Sequence, residues 1–301
     1  MTAARHFLDV DDLTAVELQE VLDRATRSDP SPVLAGRTAA LIFEKPSLRT
    51  RNSSEVAIVQ LGGHPLTMFR DEVGLGAREP VADVARVLSR YHAAISARVF
   101  EHAHVEGLAK AASVPVVNLL SDDAHPCQAL ADVLTVRQRF GGTAGIELAY
   151  VGDFNNVARS LAIACGLTGM HIRFGCPPGY APTEVDLDRM KASGVDVTVY
   201  DHAGDAVEGA NVVYTDVWTS MGQEDEAETR RRAFEGFTVD GRLLSAAAAD
   251  AVFLHCLPAH RGEEVSADVM ESPQSLVWQQ AENRLHAYRG LLWFLLDPVA
   301  A

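Results

Sequence analysis

The segment FEKPSLRTRNSSE, residues 43–55, concentrates arginines and hydroxyl groups directly behind a proline. Pro46 cannot lie inside a helix or a central strand, and Ser47 is a favourable N-cap, so the pattern predicts a helix over 49–61 that a glycine pair ends. The first turn of a helix presents unpaired N–H groups and the positive end of the helix dipole, which together bind anions. The side chains predicted to form a phosphate pocket there are Ser47, Arg49 and Thr50.

Arg51 is expected to play a different part from Arg49. Side chains two residues apart on a helix point about 200° away from each other, so the two guanidinium groups should not face the same phosphate. We predict that Arg51 forms a structural ion pair. For this segment taken alone, a capped surface helix with solvated arginines remains open as the alternative.

Two further segments place polar groups at predicted strand ends. Arg98 closes the apolar run AAISAR. An arginine at the end of a buried strand is poorly placed to be solvated and well placed to face a ligand crevice. In DDAHPCQAL, residues 122–130, Pro126 suits the first turn of a helix. His125 would then lie where strand passes to helix and could bond a ligand oxygen, with Gln128 one turn along. A purely structural histidine is the alternative.

Two segments in the second half of the chain also carry polar residues that could bind a ligand. The turn GDFNNV lacks the glycines of a dinucleotide-binding loop, and its Asn155 and Asn156 suit a zwitterion better than a pyrophosphate. The segment FLHCLPAHRGEE ends a predicted strand. A metal site there would use His255, Cys256 and His260, but their spacing matches no established ligand pattern. Cys256 could also be a small apolar residue that ends a strand.

These groups must be positioned by the strands and helices between them. The predicted strands are 38–43, 65–69, 93–98 and 114–120 in the first half, and 146–153, 170–176, 195–200, 211–217 and 251–258 in the second. Because helical stretches separate them, we expect an α/β protein with two doubly wound parallel-sheet domains joined by helices. The predicted ranges are 1–140 for the first domain, 141–280 for the second and 281–301 for a terminal helix.

Composition excludes several classes of function. The chain has 301 residues and a net charge of −15, which repels nucleic acid and anionic lipid surfaces, so an anion site must be a local exception. Four scattered cysteines without a CxxC pair suggest free thiols, and no apolar run is long enough to span a membrane. The acidic N-terminus does not resemble a signal peptide, and we expect a cytoplasmic protein. Walker A, HExxH and GxSxG motifs are absent from the sequence.

Seven motifs follow one another along the chain: FEKPSLRTR, ARVLSR with Arg98 after it, HPCQALAD, VGDFNNV, TDVWTSMGQEDE, HCLPAHRGEEV and AENRLHA. Each is short, but together they resemble the ornithine carbamoyltransferase family in the family's own order and over nearly the whole chain. The resemblance implies that the first domain binds carbamoyl phosphate and the second L-ornithine. It also implies a homotrimer or a multiple of trimers, with active sites near subunit interfaces. The C-terminal helix would cross back to the first domain, and neither a metal nor an organic cofactor would be used.

The resemblance also assigns roles to individual residues. The phosphate of carbamoyl phosphate would be held by Ser47, the Leu48 backbone, Arg49 and Thr50. Its carbonyl oxygen would be reached by Arg98 and His125, and its amide by Gln128. The carbamoyl group would be closed over from the second domain by Cys256, the Leu257 carbonyl and Arg284. The amino-acid end of ornithine would be bound by Asn156, Asp216, Ser220 and Met221. The residues expected to act in catalysis are Arg49, Arg98, His125, Asp216 and Cys256.

The implied reaction has clear electrostatic requirements. The δ-amine of ornithine has a lysine-like pKa of ~10.4 and must lose its proton before it attacks the carbamoyl carbon; a partly desolvated site beside arginines lowers that pKa. The attack gives a tetrahedral oxyanion, which preorganised donors stabilise together with the departing phosphate. No covalent intermediate is needed, so Cys256 is interpreted as a substrate contact and not as a nucleophile.

The sequence departs from the family pattern in three places. Leu48 stands where members commonly have a second hydroxyl. In residues 72–80 the family usually reads close to Q-L-G-R-G-E, but here Gly74 replaces the glutamine that reaches carbamoyl phosphate from a neighbouring subunit, and Ala77 replaces the arginine. Asn-Ser-Ser at 52–54 replaces a more usual valine-serine-phenylalanine run. We therefore expect weaker carbamoyl phosphate binding than in a typical member.

Three other interpretations remain open at this point. Aspartate carbamoyltransferase is the nearest relative, although TDVWTSMGQE and HCLPAHRGEE both match the ornithine side. Acetylornithine or another amino acid could be the acceptor. The chain could also be a non-catalytic carbamoyltransferase-like subunit. The joint presence of Arg49, Arg98, His125, Asp216 and Cys256 argues against that last interpretation.

Overall fold

The computed structural model describes residues 4–219 and 224–297. The chain forms two compact units: unit 1 contains the residues up to Ala131 together with those from Glu282 onward, and unit 2 is Asp132–Ala281. In the described part of the chain, no helix is both long enough and apolar enough to cross a membrane.

Unit 1 is built on a four-stranded parallel sheet. Its strands are β1 (Thr38–Phe43), β2 (His64–Phe69), β3 (Ile95–Arg98) and β4 (Val116–Leu120). Its helices are α1 (Ala15–Ala25), α2 (Leu48–Gln60), α3 (Arg70–Val73), α4 (Val81–Tyr91), α5 (His102–Ala111) and the start of α6 (Pro126–Phe140). The strand order is β2-β1-β3-β4, and every pair is parallel. The four strands predicted for the first half are thus confirmed.

The inner strands of this sheet are covered on both faces. β3 is buried along its whole length, and β1 is buried from Ala39 to Phe43. One apolar cluster packs α4 and α5 against the sheet, and it includes Ile42, Ile95 and Val105. Uninterrupted apolar runs of this kind are typical of parallel strands, because helices lie on both sides of them.

Unit 2 repeats the scheme with five parallel strands. They are β5 (Glu147–Val151), β6 (His171–Gly175), β7 (Val197–Tyr200), β8 (Val212–Thr215) and β9 (Val252–His255). The helices are the end of α6, then α7 (Asn156–Thr168), α8 (Glu184–Ala192), α9 (Ala203–Val207), α10 (Ala227–Ala233), α11 (Gly241–Leu244), α12 (Ala267–Met270) and the start of α13 (Val277–Leu296). The strand order is β7-β6-β5-β8-β9. The α/β fold with two parallel sheets is as predicted.

The terminal helix α13 packs on unit 1 through its second part. The Tyr288 hydroxyl and Ser96 Oγ, both buried, are 2.7 Å apart. Gly290 lies directly against α1: a Cβ at this position would be 2.5 Å from the Val21 carbonyl oxygen and 2.8 Å from the Ala25 nitrogen. Only glycine allows the two helices to approach so closely. The expectation that the terminal helix packs on the first part of the chain is confirmed.

In both sheets the strand order reverses at one point. In unit 1, β2 lies on one side of β1 and β3 on the other; in unit 2, β6 lies on one side of β5 and β8 on the other. Ligands of doubly wound proteins bind at such points, in the crevice outside the carboxyl ends of the strands. The residues that follow β1 and β3, and those that follow β5 and β8, are therefore the places to look for a site.

Candidate active site

Helix α2 begins where the phosphate pocket was predicted. Ser47 is its N-cap, and the Ser47 Oγ accepts a hydrogen bond from the Thr50 N–H at 3.2 Å. Thr50 is buried, whereas Leu48 is 75% exposed. Arg51 forms an ion pair with Glu55 at 2.8 Å, as expected. The predicted strand, N-cap and helix at this position are confirmed.

Arg98 lies at the end of β3, and His125 lies in the connection between β4 and α6. Arg98 is the last residue of β3, and the register aligns it with Phe43, the last residue of β1. His125 immediately precedes Pro126, which begins α6. Both Arg98 and His125 are buried. Burial and the nearby Arg98 charge lower the pKa of Lys45, so positive charges are crowded at this edge of the sheet.

Arg284, on the part of α13 that belongs to unit 1, joins three of the predicted residues. Its Nη2 donates to Thr50 Oγ1 at 2.7 Å, and its Nη1 donates to Gln128 Oε1. The same Nη1 lies 3.5 Å from His125 Nε2. The expectation that Arg284 acts from the second domain is wrong, because the chain has already returned to unit 1 at Glu282.

The charges around His125 determine its protonation state. Burial, followed by the positive charges of Arg284, Arg98 and Arg49, lowers the pKa of His125 well below its usual value. The imidazole is therefore neutral at neutral pH, and a neutral ring can accept a hydrogen bond from Arg284. Three guanidinium groups that converge on a neutral, buried ring form a site suited to an anion with more than one charge.

Asp216, Asn155 and Cys256 form a second group, in unit 2. Asp216 directly follows β8 and Cys256 directly follows β9, and the register pairs the preceding residues, Thr215 and His255. Cys256 Sγ donates to Asp216 Oδ1 at 2.9 Å, and Asn155 Nδ2 donates to Asp216 Oδ2 at 2.9 Å. Both carboxylate oxygens of the buried Asp216 are thereby held in one orientation.

Asn155 is a residue that the sequence analysis mentioned but did not assign to the site. It is the N-cap of α7, and its Oδ1 accepts hydrogen bonds from the Val157 and Ala158 N–H groups at 2.9 and 3.1 Å. Asn156, which was assigned instead, is the first helical residue. The N-cap preference of asparagine immediately before an apolar helix was the signal that could have identified Asn155.

The loop after β9 is organised by His255. Its Nδ1 accepts a hydrogen bond from the Leu257 N–H at 2.8 Å, so its Nε2 carries the proton and donates to the buried Glu264 Oε1 at 3.1 Å. Leu257 has a φ of 60°, a left-handed conformation that costs a non-glycine residue about 1–2 kcal/mol. The bond to His255 offsets part of that cost. Sequence reasoning did not identify this role of His255 and Glu264.

The metal site considered for this loop does not assemble as predicted. Among the described residues, Asp216, His255 and Cys256 form one group of potential ligands, whereas His260 belongs to another group with Glu263 and Glu264. Both ring nitrogens of His255 already take part in hydrogen bonds. A metal on His255 would have to displace one of them.

A buried ion pair ties together two segments near this second group. Arg230 Nη1 donates to Asp153 Oδ2 and to the Trp218 carbonyl oxygen, both at 2.9 Å. Asp153 precedes the cap of α7 by two residues, and Trp218 follows Asp216 by two. Burial raises the pKa of Asp153, and Arg230 opposes that rise. The pair fixes the main chain on both sides of the Asn155–Asp216 contact.

Two family models match the chain over almost its whole length. The carbamoyl-P binding domain of aspartate/ornithine carbamoyltransferase matches residues 5–138, and the Asp/Orn binding domain of the same family matches residues 144–295. The chain belongs to the aspartate/ornithine carbamoyltransferase family. It is therefore a carbamoyltransferase, as the seven motifs predicted.

Relatives within this family are similar in sequence and in structure. An ornithine carbamoyltransferase of Acidothermus cellulolyticus is 55% identical over 304 residues, which cover 97% of each chain. The solved ornithine carbamoyltransferase from Pyrococcus furiosus is 48% identical, with a TM-score of 0.92 over 96% of each chain. A solved N-acetyl-L-ornithine transcarbamylase is 31% identical, with a TM-score of 0.87 over 96% of this chain and 99% of the other. The names of solved proteins with this fold therefore include more than one amino-acid acceptor.

The predicted site residues of this carbamoyltransferase fall into three sets. The residues that lie together in unit 1 are Arg49, Thr50, Arg98, His125, Gln128 and Arg284, with Ser47 and Leu48 at the start of α2 beside them. The residues that lie at the strand ends of unit 2 are Asn156, Asp216, Cys256 and Leu257. Ser220 and Met221 lie outside the described residues.

The turn after α3 explains one departure from the family pattern. Gly74 ends α3 with a φ of 60°, and a Cβ on it would come within 2.7 Å of the Arg78 Cβ. The Arg78 side chain in turn donates to the Glu72 carbonyl oxygen at 3.1 Å. A glutamine at position 74 would both strain the backbone and collide with Arg78, so the glycine suits the conformation of this turn.

Proposed function

We propose that this carbamoyltransferase transfers the carbamoyl group of carbamoyl phosphate to the δ-amine of L-ornithine, giving L-citrulline and phosphate. The observation that carries the proposal is the convergence of Arg49, Arg98 and Arg284 on a buried His125 whose pKa they lower. A protein with a net charge of −15 concentrates three guanidinium groups in this way only where a strongly anionic ligand binds.

Unit 1 would bind carbamoyl phosphate. In this proposal the Ser47–Thr50 turn and Arg49 hold the phosphate, because the N-terminus of α2 supplies N–H donors and a favourable dipole. Arg98 and the neutral His125 contact the carbonyl oxygen, where negative charge develops. Gln128 contacts the amide. Arg284, which already bonds Thr50 and Gln128, fixes their orientation before the ligand arrives.

Unit 2 would bind the amino acid. The Asp216 carboxylate is oriented by Asn155 and Cys256 and lies where β8 ends, so it is placed to pair with an ammonium group. Asn156 offers an amide to the α-carboxylate from the first turn of α7. We assign Ser220 and Met221 to the same part of ornithine on the strength of the sequence motif alone.

The chemistry then needs no covalent intermediate. The δ-amine loses its proton and attacks the carbamoyl carbon, and the oxyanion that forms is stabilised by Arg98 and His125. Collapse of the tetrahedral intermediate breaks the C–O bond to phosphate, and the phosphate takes the extra proton of the attacking nitrogen as it leaves. The phosphate charge remains balanced by Arg49 and the α2 N-terminus. Preorganised donors of this kind are worth about 3–4 kcal/mol each in related acyl transfers. Cys256 contacts the acceptor and does not attack it.

The direct test is product formation with competing acceptors. Purified protein is supplied with carbamoyl phosphate and with L-ornithine, N-acetyl-L-ornithine or L-aspartate, and each ureido product is quantified. We expect kcat/KM for ornithine to exceed that for either competitor at least ~100-fold. N-acetyl-L-ornithine lacks the α-ammonium group that the buried Asp216 carboxylate is placed to pair with, and L-aspartate has no δ-amine to carbamoylate and carries a second carboxylate. Preferential carbamoylation of aspartate or acetylornithine would replace the acceptor. No product with any acceptor would favour the non-catalytic subunit.

We further propose that the protein assembles as a homotrimer or a multiple of trimers through unit 1. The open edge of its sheet is β2, and apolar side chains are exposed along β2 and the adjacent α2: Val56, Val59, Leu66 and Phe69. An exposed sheet edge with apolar neighbours favours association. Light scattering should give a mass of three chains or a multiple, and V59E should lower it. A monomeric mass for the unaltered chain would contradict the assembly.

The same proposal places the enzyme in the cytoplasm and in the synthesis of arginine. None of the four cysteines, all of which lie in the described residues, takes part in a disulfide, and three of them are buried, a pattern typical of proteins from reducing compartments. The Pyrococcus furiosus relative, 48% identical, is named as an anabolic ornithine carbamoyltransferase, which supports citrulline formation as the physiological direction.

A further inference from the structure

The end of strand β9 is held by a side chain. β9 is the edge strand of the sheet in unit 2 and pairs only with β8 in that sheet. On its open side, the Phe253 N–H donates to the Gln274 carbonyl oxygen at 2.9 Å, and the Leu276 N–H donates to the Phe253 carbonyl oxygen at 3.0 Å. The next N–H on that side belongs to His255, and it donates to Gln280 Oε1 at 2.9 Å. Gln280 therefore completes the edge next to Cys256.

The amide of Gln280 is itself held in one orientation. Its Nε2 donates to Asp132 Oδ1 at 2.7 Å and lies 3.3 Å from the Tyr214 hydroxyl, which donates to Asp132 Oδ2 at 3.2 Å. Asp132, Tyr214 and Gln280 are almost completely buried. A carboxylate only accepts and a main-chain N–H only donates, so the position between Asp132 and His255 requires a group that does both. An amide meets that requirement, and its orientation is fixed by its partners.

The geometry of Cys256 depends on this arrangement. The register that pairs Thr215 with His255 sets Cys256 beside Asp216, where its Sγ donates at 2.9 Å. Without Gln280, the buried His255 N–H would lack its acceptor, and a buried donor without a hydrogen bond is unfavourable. The strand end would relieve that cost by moving towards water. Cys256, as the next residue, would move with it.

We propose that Gln280, oriented by Asp132, is a positioning residue that holds the end of β9 and thereby keeps Cys256 in contact with Asp216. It acts through the main chain of His255 and does not touch a substrate. The kinetic part of its test rests on the proposed function, whereas the chemical part does not.

The first variant is Gln280→Met, which keeps the length of the side chain and removes both its donor and its acceptor. We expect kcat for citrulline formation to fall at least tenfold and KM for ornithine to rise at least threefold. The dissociation constant of carbamoyl phosphate alone, measured by calorimetry, should change less than KM for ornithine and stay within threefold, since its phosphate is assigned to unit 1 and only its carbamoyl group to Cys256 and Leu257. A merely structural role would lower stability without this division between the two substrates.

The second readout is the alkylation of Cys256 by iodoacetamide, followed by mass spectrometry of the peptide. Cys256 is partly exposed, whereas the other three cysteines are buried. Movement of the strand end would separate the Cys256 S–H from Asp216 and open the sulfur to the reagent, and alkylation depends on that access. We expect Gln280→Met to raise the alkylation rate at pH 7.5 at least fivefold. This readout needs no substrate and does not depend on the acceptor.

The matched control is Gln279→Met, the same substitution at the neighbouring helical position. Gln279 donates to Gln138 Oε1 at 2.9 Å on the surface, so its loss should change neither readout more than twofold. If Gln280→Met does not fold, Asp132→Asn carries the test: it keeps the shape but removes the charge that orients Gln280, and at least a threefold rise in alkylation is expected.

The possible outcomes separate this inference from the proposed function. Unchanged Cys256 reactivity in a folded Gln280→Met or Asp132→Asn protein would overturn the inference. Parallel losses of carbamoyl phosphate and ornithine affinity with unchanged reactivity would also overturn it. If the unaltered enzyme forms no citrulline, the proposed function fails, and alkylation still decides the role of Gln280.

Discussion

The two units place their polar groups at the same topological position but with opposite charge. In unit 1, Arg49 beyond β1, Arg98 at the end of β3 and Arg284 on α13 surround a buried imidazole. In unit 2 the residues beyond β5 and β8 bring an asparagine and the Asp216 carboxylate together. Because both sheets reverse their strand order there, both crevices can hold a ligand. The proposed function assigns a dianion to the crevice of unit 1 and an amine to that of unit 2.

This difference teaches that overall charge says little about a local site. The chain carries 26 basic and 41 acidic residues, yet the guanidinium groups of unit 1 are close enough to depress the pKa of His125. Mutual repulsion makes such a cluster unfavourable by itself, and an anionic ligand relieves it. The Asp216 group needs no such relief, because its oxygens already accept bonds from Asn155 and Cys256.

The largest expected effect comes from removing a cation in unit 1. Arg98→Ala should lower kcat/KM for citrulline formation by ~100-fold or more, about 3 kcal/mol of transition-state stabilisation, because Arg98 faces the developing oxyanion. Steady-state kinetics with both substrates varied is the measurement. Arg27→Ala, an exposed arginine paired with Asp29, is the control and should remain within twofold of the unaltered enzyme. Comparable rates for both variants would refute the role of Arg98.

Next in size is the loss of the negative charge in unit 2. Asp216→Asn should raise KM for ornithine ~30-fold or more, since a charged hydrogen bond is worth about 1.5–3 kcal/mol, and should leave carbamoyl phosphate affinity unchanged. Initial rates and calorimetry measure the two quantities. Asp201→Asn is a matched control, because Asp201 directly follows β7 as Asp216 directly follows β8. Asp201 is exposed, and β7 is the edge strand three positions away from β8 in the sheet. Equal effects of the two substitutions on KM for ornithine would mean that the Asp216 carboxylate has no specific role in binding ornithine.

The strand ends of this site were predictable from sequence, and its side-chain network was only partly so. Apolar runs and breakers located β1 and the Ser47 cap, because local propensity and helix capping act within a few residues. Arg98 could be identified because it directly ends an apolar run, and His125 because it directly precedes the proline that begins a helix. The single error in unit assignment, Arg284, arose because α13 crosses between the units within its length, which periodicity does not reveal.

Contacts between distant segments explain what sequence reasoning missed. Gln280 and Asp132 are 148 residues apart, and nothing local to either residue indicates that they share a hydrogen bond. The same holds for the buried contact of His255 with Glu264, where the sequence offered only a doubtful metal pattern. A buried polar pair is recognised by what surrounds it in the fold, so tertiary structure is required to find it.

A pH-dependent effect of intermediate size can sharpen the comparison. Because the folded pKa of His125 is lowered, its contribution to stability is complete above the unfolded value of about 6.5 and is lost as the pH falls below it. There the unfolded chain binds a proton that folded His125 does not, which costs up to ~1.4 kcal/mol per pH unit. Urea unfolding of ligand-free protein between pH 6.5 and 5 should therefore show a shallower loss of stability in His125→Gln.

The control for this experiment is His202→Gln, at an exposed histidine of unit 2. Its free energy of unfolding should change with pH as that of the unaltered protein does. Addition of phosphate should reduce the difference between the unaltered protein and His125→Gln, since a bound dianion offsets the guanidinium charges that depress the His125 pKa. Identical pH slopes for His125→Gln and the unaltered protein would mean that the arginine cluster does not control this histidine.

The smallest effect concerns Leu48, the first residue of α2. Its side chain is exposed beside the Ser47 cap and contributes no hydrogen bond to a ligand, so the phosphate pocket has one hydroxyl fewer than the family pattern provides. Leu48→Thr should lower the dissociation constant of carbamoyl phosphate about two- to fivefold, which corresponds to a net hydrogen-bond contribution of about 0.5–1 kcal/mol. Val16→Thr, at an exposed residue in the first turn of α1, is the control and should leave affinity unchanged. Tighter binding of carbamoyl phosphate with an unaltered KM for ornithine would confirm that the cationic crevice of unit 1 is adjusted independently of the acidic one. If the added hydroxyl has no effect, the main-chain N–H groups of α2 already satisfy the phosphate, and the leucine carries no cost.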